Sequence, residues 1–320
     1  MTTSFLTYLE AKRTVDDSAL DRRVLEQFTN ALSNRDGPVR LVELGVGVGA
    51  MLSRLIEWDV LPPRVSYRGV DIDSSCIVRA RERVPKRLES AGYTVGAPRS
   101  VGNETVEDGV PKATSFVATW APSSDDETAT EIEITLEVAD AFALEDDADA
   151  VIAAALLDIV DLESTLAAIE SLLAPGGLCY APITYDGSTA FTPRDSLDAS
   201  IEAQYHHHMD EVRPAGGSRA GSALLESVAD RPWSLLAAGS GDWVVSPVDG
   251  GYPHRERAVV SHVLETMADA LAAVPSSDLP EESRLPAEKR RRWFERRHAE
   301  LEAERLGYVA HNVDVVTRVP

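Results

Sequence analysis

The apolar positions fall into two alternating rhythms, short blocks or strict alternations that read as strands and three-and-four spacings that read as helices. Phe5, Leu6 and Leu9, then Leu20, Val24, Leu25 and Phe28, predict two helices broken near residues 14–17. The turn residues Asn34-Arg35-Asp36-Gly37-Pro38 lead into a first strand that opens at Val39. A helix-compatible run with Met51, Leu52, Leu55 and Ile56 comes next, closed by Pro62-Pro63, and a second strand over 65–70 ends in Asp71-Ile72-Asp73. From 92 to 130 the pattern dissolves into Gly, Pro, Ser, Thr and acid, with only 114–120 strand-like, so 97–129 reads as a surface insertion with the character of a hairpin.

The rhythm resumes with an alternating strand over 131–138 and a continuous apolar run over 150–157, as expected of a central strand covered on both faces. A helix over 162–173 is stopped by Pro175-Gly176-Gly177, and 178–185 is another buried strand. Beyond it, 218–228 predicts a helix, 243–248 a strand, 255–274 and 285–305 two helices joined through Ser276-Ser277-Asp278, and 308–319 a last strand. Strands alternating with helices predict an α/β protein with a mostly parallel sheet. The expected organisation is a helical cap over 1–36 and an α/β domain over 37–320, with a second insertion at 252–306 before the last strand.

The organising stretch is V-R-L-V-E-L-G-V-G-V-G-A-M-L-S-R, a strand, a glycine turn and a helix start. Gly45, Gly47 and Gly49 permit positive φ and close approach of a ligand to backbone amides, and the helix N-terminus adds unpaired N–H groups. The spacing satisfies both the dinucleotide form G-x-G-x-x-A and the tighter G-x-G-x-G. Glu43 tilts the balance, because a carboxylate there repels a pyrophosphate and attracts a ligand carrying an ammonium and a sulfonium. Asp71 stands where a nucleotide fold places a ribose-binding acid, Ile72 beside it is suited to the adenine face, and Asp73 is the better helix cap. Asp140, past the third core strand, is placed to accept from the adenine amino group, with Phe142 walling the pocket.

Composition narrows the partners. Acidic residues number 53 against 31 basic, for a formal charge of −22, and Lys occurs only at 12, 86, 112 and 289. Such a field disfavours nucleic acid, and its even spread reads as a halophilic-type surface kept hydrated in concentrated salt. Cys76 and Cys179 form no short pairing motif, so neither a disulfide framework nor a thiolate metal site is expected. No basic-apolar leader opens the sequence and no apolar run reaches membrane-span length, which gives the expectation of a cytoplasmic protein without a membrane partner.

Taken together, V-E-L-G-V-G-V-G, G-V-D-I-D, V-A-D-A-F-A-L, A-A-A-L-L-D and L-L-A-P-G-G-L-C-Y-A resemble the class I S-adenosylmethionine-dependent methyltransferase superfamily, over 39–186 without 97–129. The resemblance implies a Rossmann-like, seven-stranded, mostly parallel sheet with an antiparallel last strand. It implies S-adenosylmethionine as cofactor, with Glu43, Gly45, Gly47 and Gly49 bordering the methionine moiety, Asp71 the ribose, Asp140 and Ala141 the adenine, and Leu156 the sulfonium region. No Asn/Asp-Pro-Pro-Tyr-like signature comes after the fourth strand, where Leu156-Leu157-Asp158 stands, and this favours a small-molecule acceptor.

Catalytic candidates lie beyond the fourth and fifth strands. Tyr185 and Asp186 sit there, with Tyr205-His206-His207-His208 expected above them. Three adjacent histidines diverge on a helix and do not chelate one metal ion, so a single one of them is the candidate general base. His311 and Asn312 on the last strand are further candidates, and Lys12, Arg13 and Asp17 reach the glycine turn only if the N-terminal helices lie over it. Two other readings stay open: a nicotinamide-dependent oxidoreductase and a non-catalytic binding protein of the same fold. The 252–306 helices are either a lid or a homodimer surface.

Overall fold

The computed structural model describes residues 4–35, 37–106, 109–121, 129–275, 279 and 281–320. The expected linker Ser276-Ser277-Asp278, and Asp36 of the expected turn, lie outside them. Chain order begins with three helices, α1 (Phe5–Ala11), α2 (Arg13–Ala19) and α3 (Arg22–Ser33), where two were expected. The stretch expected to break them lies inside α2, because its acids are neutralised. Asp16 is paired with Lys12 at 3.0 Å and lies 3.8 Å from Arg54, while Asp17 is tied to Arg54 and Arg13. The actual breaks fall at Lys12 and at Asp21, whose carboxylate caps α3 by accepting from the N–H groups of Arg23 and Val24.

The sheet is built from β1 (Val39–Leu44), β2 (Arg64–Asp71), β3 (Thr94–Val95), β4 (Arg99–Thr105), β5 (Pro111–Trp120), β6 (Thr130–Val138), β7 (Ala148–Ile152), β8 (Leu173–Thr192), β9 (Ser234–Ser240), β10 (Trp243–Val245) and β11 (Gly307–Arg318). Interleaved helices are α4 (Ala50–Glu57), α5 (Ser74–Ser90), α6 (Leu162–Leu172), α7 (Asp198–His207), α8 (Ala220–Asp230), α9 (Glu256–Ala273) and α10 (Ala287–Glu302). The strand order is β10-β11-β8-β7-β1-β2-β6-β5-β3, with β4 on β5 and β9 on β11. The five central strands β6, β2, β1, β7 and β8 are parallel, and β11 runs antiparallel beside β8. Chain order reverses between β1 and β7, so a crevice opens beyond their carboxyl ends, where open parallel sheets bind ligands.

Among the described residues the sheet has eleven strands where seven were expected, for local reasons. The stretch read as a surface insertion contributes β5, which pairs with β6 from Ala113 to Trp120 and buries Phe116 and Ala118, extending the sheet. β9, with the sequence S-L-L-A-A-G-S, has little β-propensity and is held by its pairing with β11. The apolar run over 150–157 is a strand only to Ile152, after which the chain turns over the sheet edge. Pro175-Gly176-Gly177 lies within β8 and not at a helix end: α6 has already stopped, and Gly176 N–H donates to the Pro320 carbonyl at 3.0 Å. Apolar clusters fill both sides of the sheet, one around Phe28 stacked on Tyr180 at 4.7 Å, the other between the sheet and α6 and α8. Among the described residues no helix is long and apolar enough to cross a membrane.

Candidate functional site

Two adjoining cavities occupy the crevice, roofed by α1 and α2. The larger, about 440 Å³, is walled by the tips of β1, β2, β6 and β7. Gly45 (φ 67°) and Gly47 (φ 52°) turn the chain out of β1 in the left-handed region. The Asp71 carboxylate fixes that turn by accepting from Gly47 N–H on one oxygen and Asp73 N–H on the other, both at 2.9 Å. A side chain at position 45 would press on Leu156 Cδ1 at 3.1 Å, so the glycine lets the segment after β7 close against the turn.

Glu43, Gly45, Gly47, Asp71, Ile72, Asp140, Ala141 and Leu156 all line this cavity. Gly49 does not. It holds the left-handed N-cap of α4, and a Cβ there would overlap Val84 of α5, so its role is in packing. Glu43 is only 2% exposed, and its carboxylate accepts from the Tyr67 hydroxyl; burial pushes its pKa up to about 8. Asp71 is also raised by burial, against the opposing pull of its N–H bonds. Asp140 caps the short turn after β6 through Phe142 N–H at 2.9 Å. Ile72, 76% exposed, and the half-exposed Phe142 present apolar faces at the rim.

The second cavity, about 280 Å³, shares a wall with the first, formed by Phe5, Leu9, Lys12, Ala155, Ile159 and Ile183. That wall is strained. Ala155 (φ 49°) and the β-branched Ile183 (φ 57°) both adopt left-handed backbone, a conformation that clusters at functional sites. Ala155 N–H donates to the Pro182 carbonyl at 2.9 Å, and Ile183 N–H to the fully buried Asp314 at 2.8 Å. Asp314 also accepts from Asp21 N–H at 2.9 Å, and burial pushes its pKa up to about 6.

Of the residues put forward beyond the fourth and fifth strands, Tyr185 and Tyr205 line the second cavity, whereas none of the three histidines does. The Tyr185 hydroxyl lies 2.8 Å from His206 Nε2 and 2.9 Å from Thr189 Oγ1. His206 thus reaches the cavity through that hydroxyl, with its pKa lowered by burial. His207 and His208 line neither cavity; they diverge along the helix end, and His208 is lowered by burial and by Arg213. Asn312 lines the second cavity, whereas His311 turns to Asp242 at 2.7 Å. Lys12 lines both, while Arg13 and Asp17 are held in ion pairs outside them.

No protein-family model matches the chain, and no curated protein does. Solved structures resemble it distantly. A phosphoethanolamine N-methyltransferase 2 of Haemonchus contortus, solved with phosphomonomethylethanolamine and S-adenosylhomocysteine, is 12% identical with a TM-score of 0.43; the alignment takes in 100% of this chain and 59% of that one. The chain therefore spans less than two thirds of that protein. An S-adenosylmethionine-dependent methyltransferase of Thiobacillus denitrificans is 14% identical over the whole of both chains, with a TM-score of 0.43. A geranyl diphosphate C-methyltransferase of Streptomyces coelicolor A3(2) is 11% identical, with a TM-score of 0.40, over 93% of this chain and 76% of that one. Likeness at this level decides nothing about the cavities, whose chemistry rests on their own residues.

Sequence reasoning missed most of the second cavity. Tyr8, Tyr205, Tyr308, Trp243, Asp158, Arg213 and His262 come from separate segments. Tyr185, Tyr205 and Asn312 were named from the sequence, and for the rest the available signal was Asp158, the acid ending the apolar run. Among the described residues no three His, Cys, Asp or Glu side chains stand close enough to hold a metal ion. Chemically, the first cavity offers carboxylates and backbone N–H groups around an apolar slot, and the second offers phenols and one acid across a narrow shared wall.

Proposed function

We propose that the chain is an S-adenosylmethionine-dependent methyltransferase acting on a small molecule. The observation that carries the reading is the convergence of Glu43, Asp71 and Asp140, from the tips of three neighbouring strands, on one cavity in front of a glycine turn. Asp71 is suited to the ribose hydroxyls with the lone pairs left by its two N–H bonds. Asp140 and Ala141 suit the adenine edge and Ile72 its face. Leu156 borders the end that opens toward the second cavity, where the sulfonium belongs.

Glu43 has a distinct task. Burial favours its neutral form and a neighbouring cation favours ionisation, so a cationic ligand draws a proton off Glu43. A pyrophosphate gains nothing from that group, which weighs against the nicotinamide reading. When bound, the donor supplies an electrophilic methyl group with a neutral leaving group, and alignment across the shared wall supplies much of the catalysis. Residues 1–36 serve as a cap, with α1 bordering both cavities through Phe5 and Leu9 and α2 bordering the first through Asp16. Residues 252–306 serve as an insertion whose α9 closes the acceptor side through Val263, Thr266 and Met267.

Calorimetry with S-adenosylmethionine, S-adenosylhomocysteine and NAD in molar salt tests the reading. Binding of the first two without the third is the expected result; binding of NAD alone, or of none, refutes it.

A further inference from the structure

The acceptor cavity has an electrostatic centre that the methyl-donor reading leaves unused. Asp158, six residues beyond the end of β7, has its main chain pinned from two sides. Its carbonyl accepts from Gly217 N–H at 3.2 Å and from the Arg213 guanidinium. Gly216 passes so close to the same carbonyl that any Cβ would overlap it. A backbone held this way fixes where the side chain goes, and the carboxylate lines the second cavity.

Among the described residues no hydrogen bond or ion pair from another residue reaches that carboxylate. The two cations beside it are turned elsewhere. Lys12 pairs with Asp16 at 3.0 Å, and Arg213 directs Nε to the Ala215 carbonyl at 2.7 Å and Nη2 to the Asp158 carbonyl. The same cavity is lined by Tyr8, Tyr185, Tyr205, Tyr308 and Trp243. Burial, with the charge of Asp158 adding to it, keeps the hydroxyls of Tyr8, Tyr185 and Tyr205 from ionising, so these phenols stay neutral hydrogen-bonding groups near the acid. Asp158 is half-buried, so its carboxylate carries part of the cost of desolvation while the cations near it are bonded elsewhere, and aromatic side chains are favourable to a cation. A neutral hydroxyl compound would leave the first cost standing; an ammonium relieves it and gains from the rings.

We infer that the acceptor is a small amine with an apolar body, held by the Asp158 carboxylate inside the tyrosine-lined cavity, and that this carboxylate takes the proton the nitrogen sheds. The inference rests on the methyl-donor reading above. As the nitrogen lone pair forms its bond to the methyl carbon, the carbon–sulfur bond breaks and its electrons leave with the thioether. The ammonium loses one proton to an Asp158 oxygen beforehand, so the methylated product departs as a cation and Asp158 is left to return that proton to solvent. Burial raises the Asp158 pKa, which suits a carboxyl that must accept a proton there.

The test is calorimetry on the full chain in molar potassium chloride near neutral pH, with benzylamine and its neutral counterpart benzyl alcohol, with and without S-adenosylhomocysteine. Benzylamine should bind at least about tenfold more tightly than benzyl alcohol, a preference worth roughly 1.4 kcal/mol. Asp158→Asn should abolish that preference while S-adenosylhomocysteine affinity stays within about twofold. Equal binding of the two probes, binding of neither, or a preference that survives Asp158→Asn overturns the inference. The wild-type comparison stands even if the variant fails to fold. Loss of S-adenosylhomocysteine binding by the wild type is a separate result, which removes the donor reading.

Discussion

The two cavities differ in how the chain makes them. The first is assembled from consecutive strand tips, each contributing a short run next to its own strand: Glu43 to Val48 after β1, Asp71 to Asp73 after β2, Asp140 to Phe142 after β6. The second draws its residues from six separate elements, α1, β8, α7, β10, α9 and β11. Local assembly ties ligand recognition to the sheet, so the first cavity's shape is set by register. Distributed assembly ties it to how helices dock, and a different set of loops on the same sheet would make a different cavity.

Perturbations should respect that division. The largest effect is expected at Asp71, which holds the glycine turn and lines the cavity proposed for the donor. Asp71→Ala should weaken S-adenosylhomocysteine by about 100-fold, roughly 2.7 kcal/mol, while Tyr185→Phe leaves it unchanged. Titration calorimetry on the pair reads this directly, and equal losses would mean that the two cavities are one site.

Next in size is Gly49→Ala, which forces a side chain onto Val84 at a left-handed position. It should cost about 2 kcal/mol of stability in urea unfolding. Because Gly49 does not line the cavity, donor affinity measured under native conditions should change little. A large affinity loss without destabilisation would place it at the ligand after all.

A smaller effect concerns Glu43. Its pKa is raised from the ordinary 4.5 to about 8, so the fold favours the protonated group. Its contribution to stability is complete below 4.5, declines as pH climbs toward 8 and is flat beyond. Affinity for S-adenosylmethionine, whose sulfonium favours the ionised group, should rise over the same window by up to about tenfold per pH unit. Glu43→Gln should flatten both profiles; a slope that persists in the variant assigns the titration to another acid such as Asp314.

The smallest effect is expected at the shared wall. Ala155→Gly removes left-handed strain worth about 1 kcal/mol, while deleting only a methyl group at a position that lines both cavities. Thermal unfolding should therefore shift little. A melting temperature lowered by many degrees would show that packing, not strain, dominates there.

The same contrast explains what could be read from the chain. The glycine turn, Asp71 and Asp140 were legible because each sits at a fixed short distance from an apolar run, and the fold places these residues at one crevice. Gly49 looked the same as its neighbours in sequence, yet only tertiary packing against α5 shows its separate role. Tyr8, Tyr205, Trp243 and Tyr308 carried no shared spacing, since helix docking alone brings them together. β9 was illegible for a different reason: its alanines, glycine and serines take extended structure only because β11 offers a partner. The insertion over 97–129 looked peripheral because half of it is polar, whereas the apolar face of β5 joins the sheet.

Phe5, Leu9 and Lys12 of the N-terminal helices touch both compartments. α1 is only seven residues long, and a helix so short has almost no stability apart from what it packs on. A molecule packing on these residues from one compartment would therefore order a surface that the other shares, and thermodynamic reciprocity makes any coupling between the two equal in both directions. Filling order would then be a matter of concentration, not of architecture.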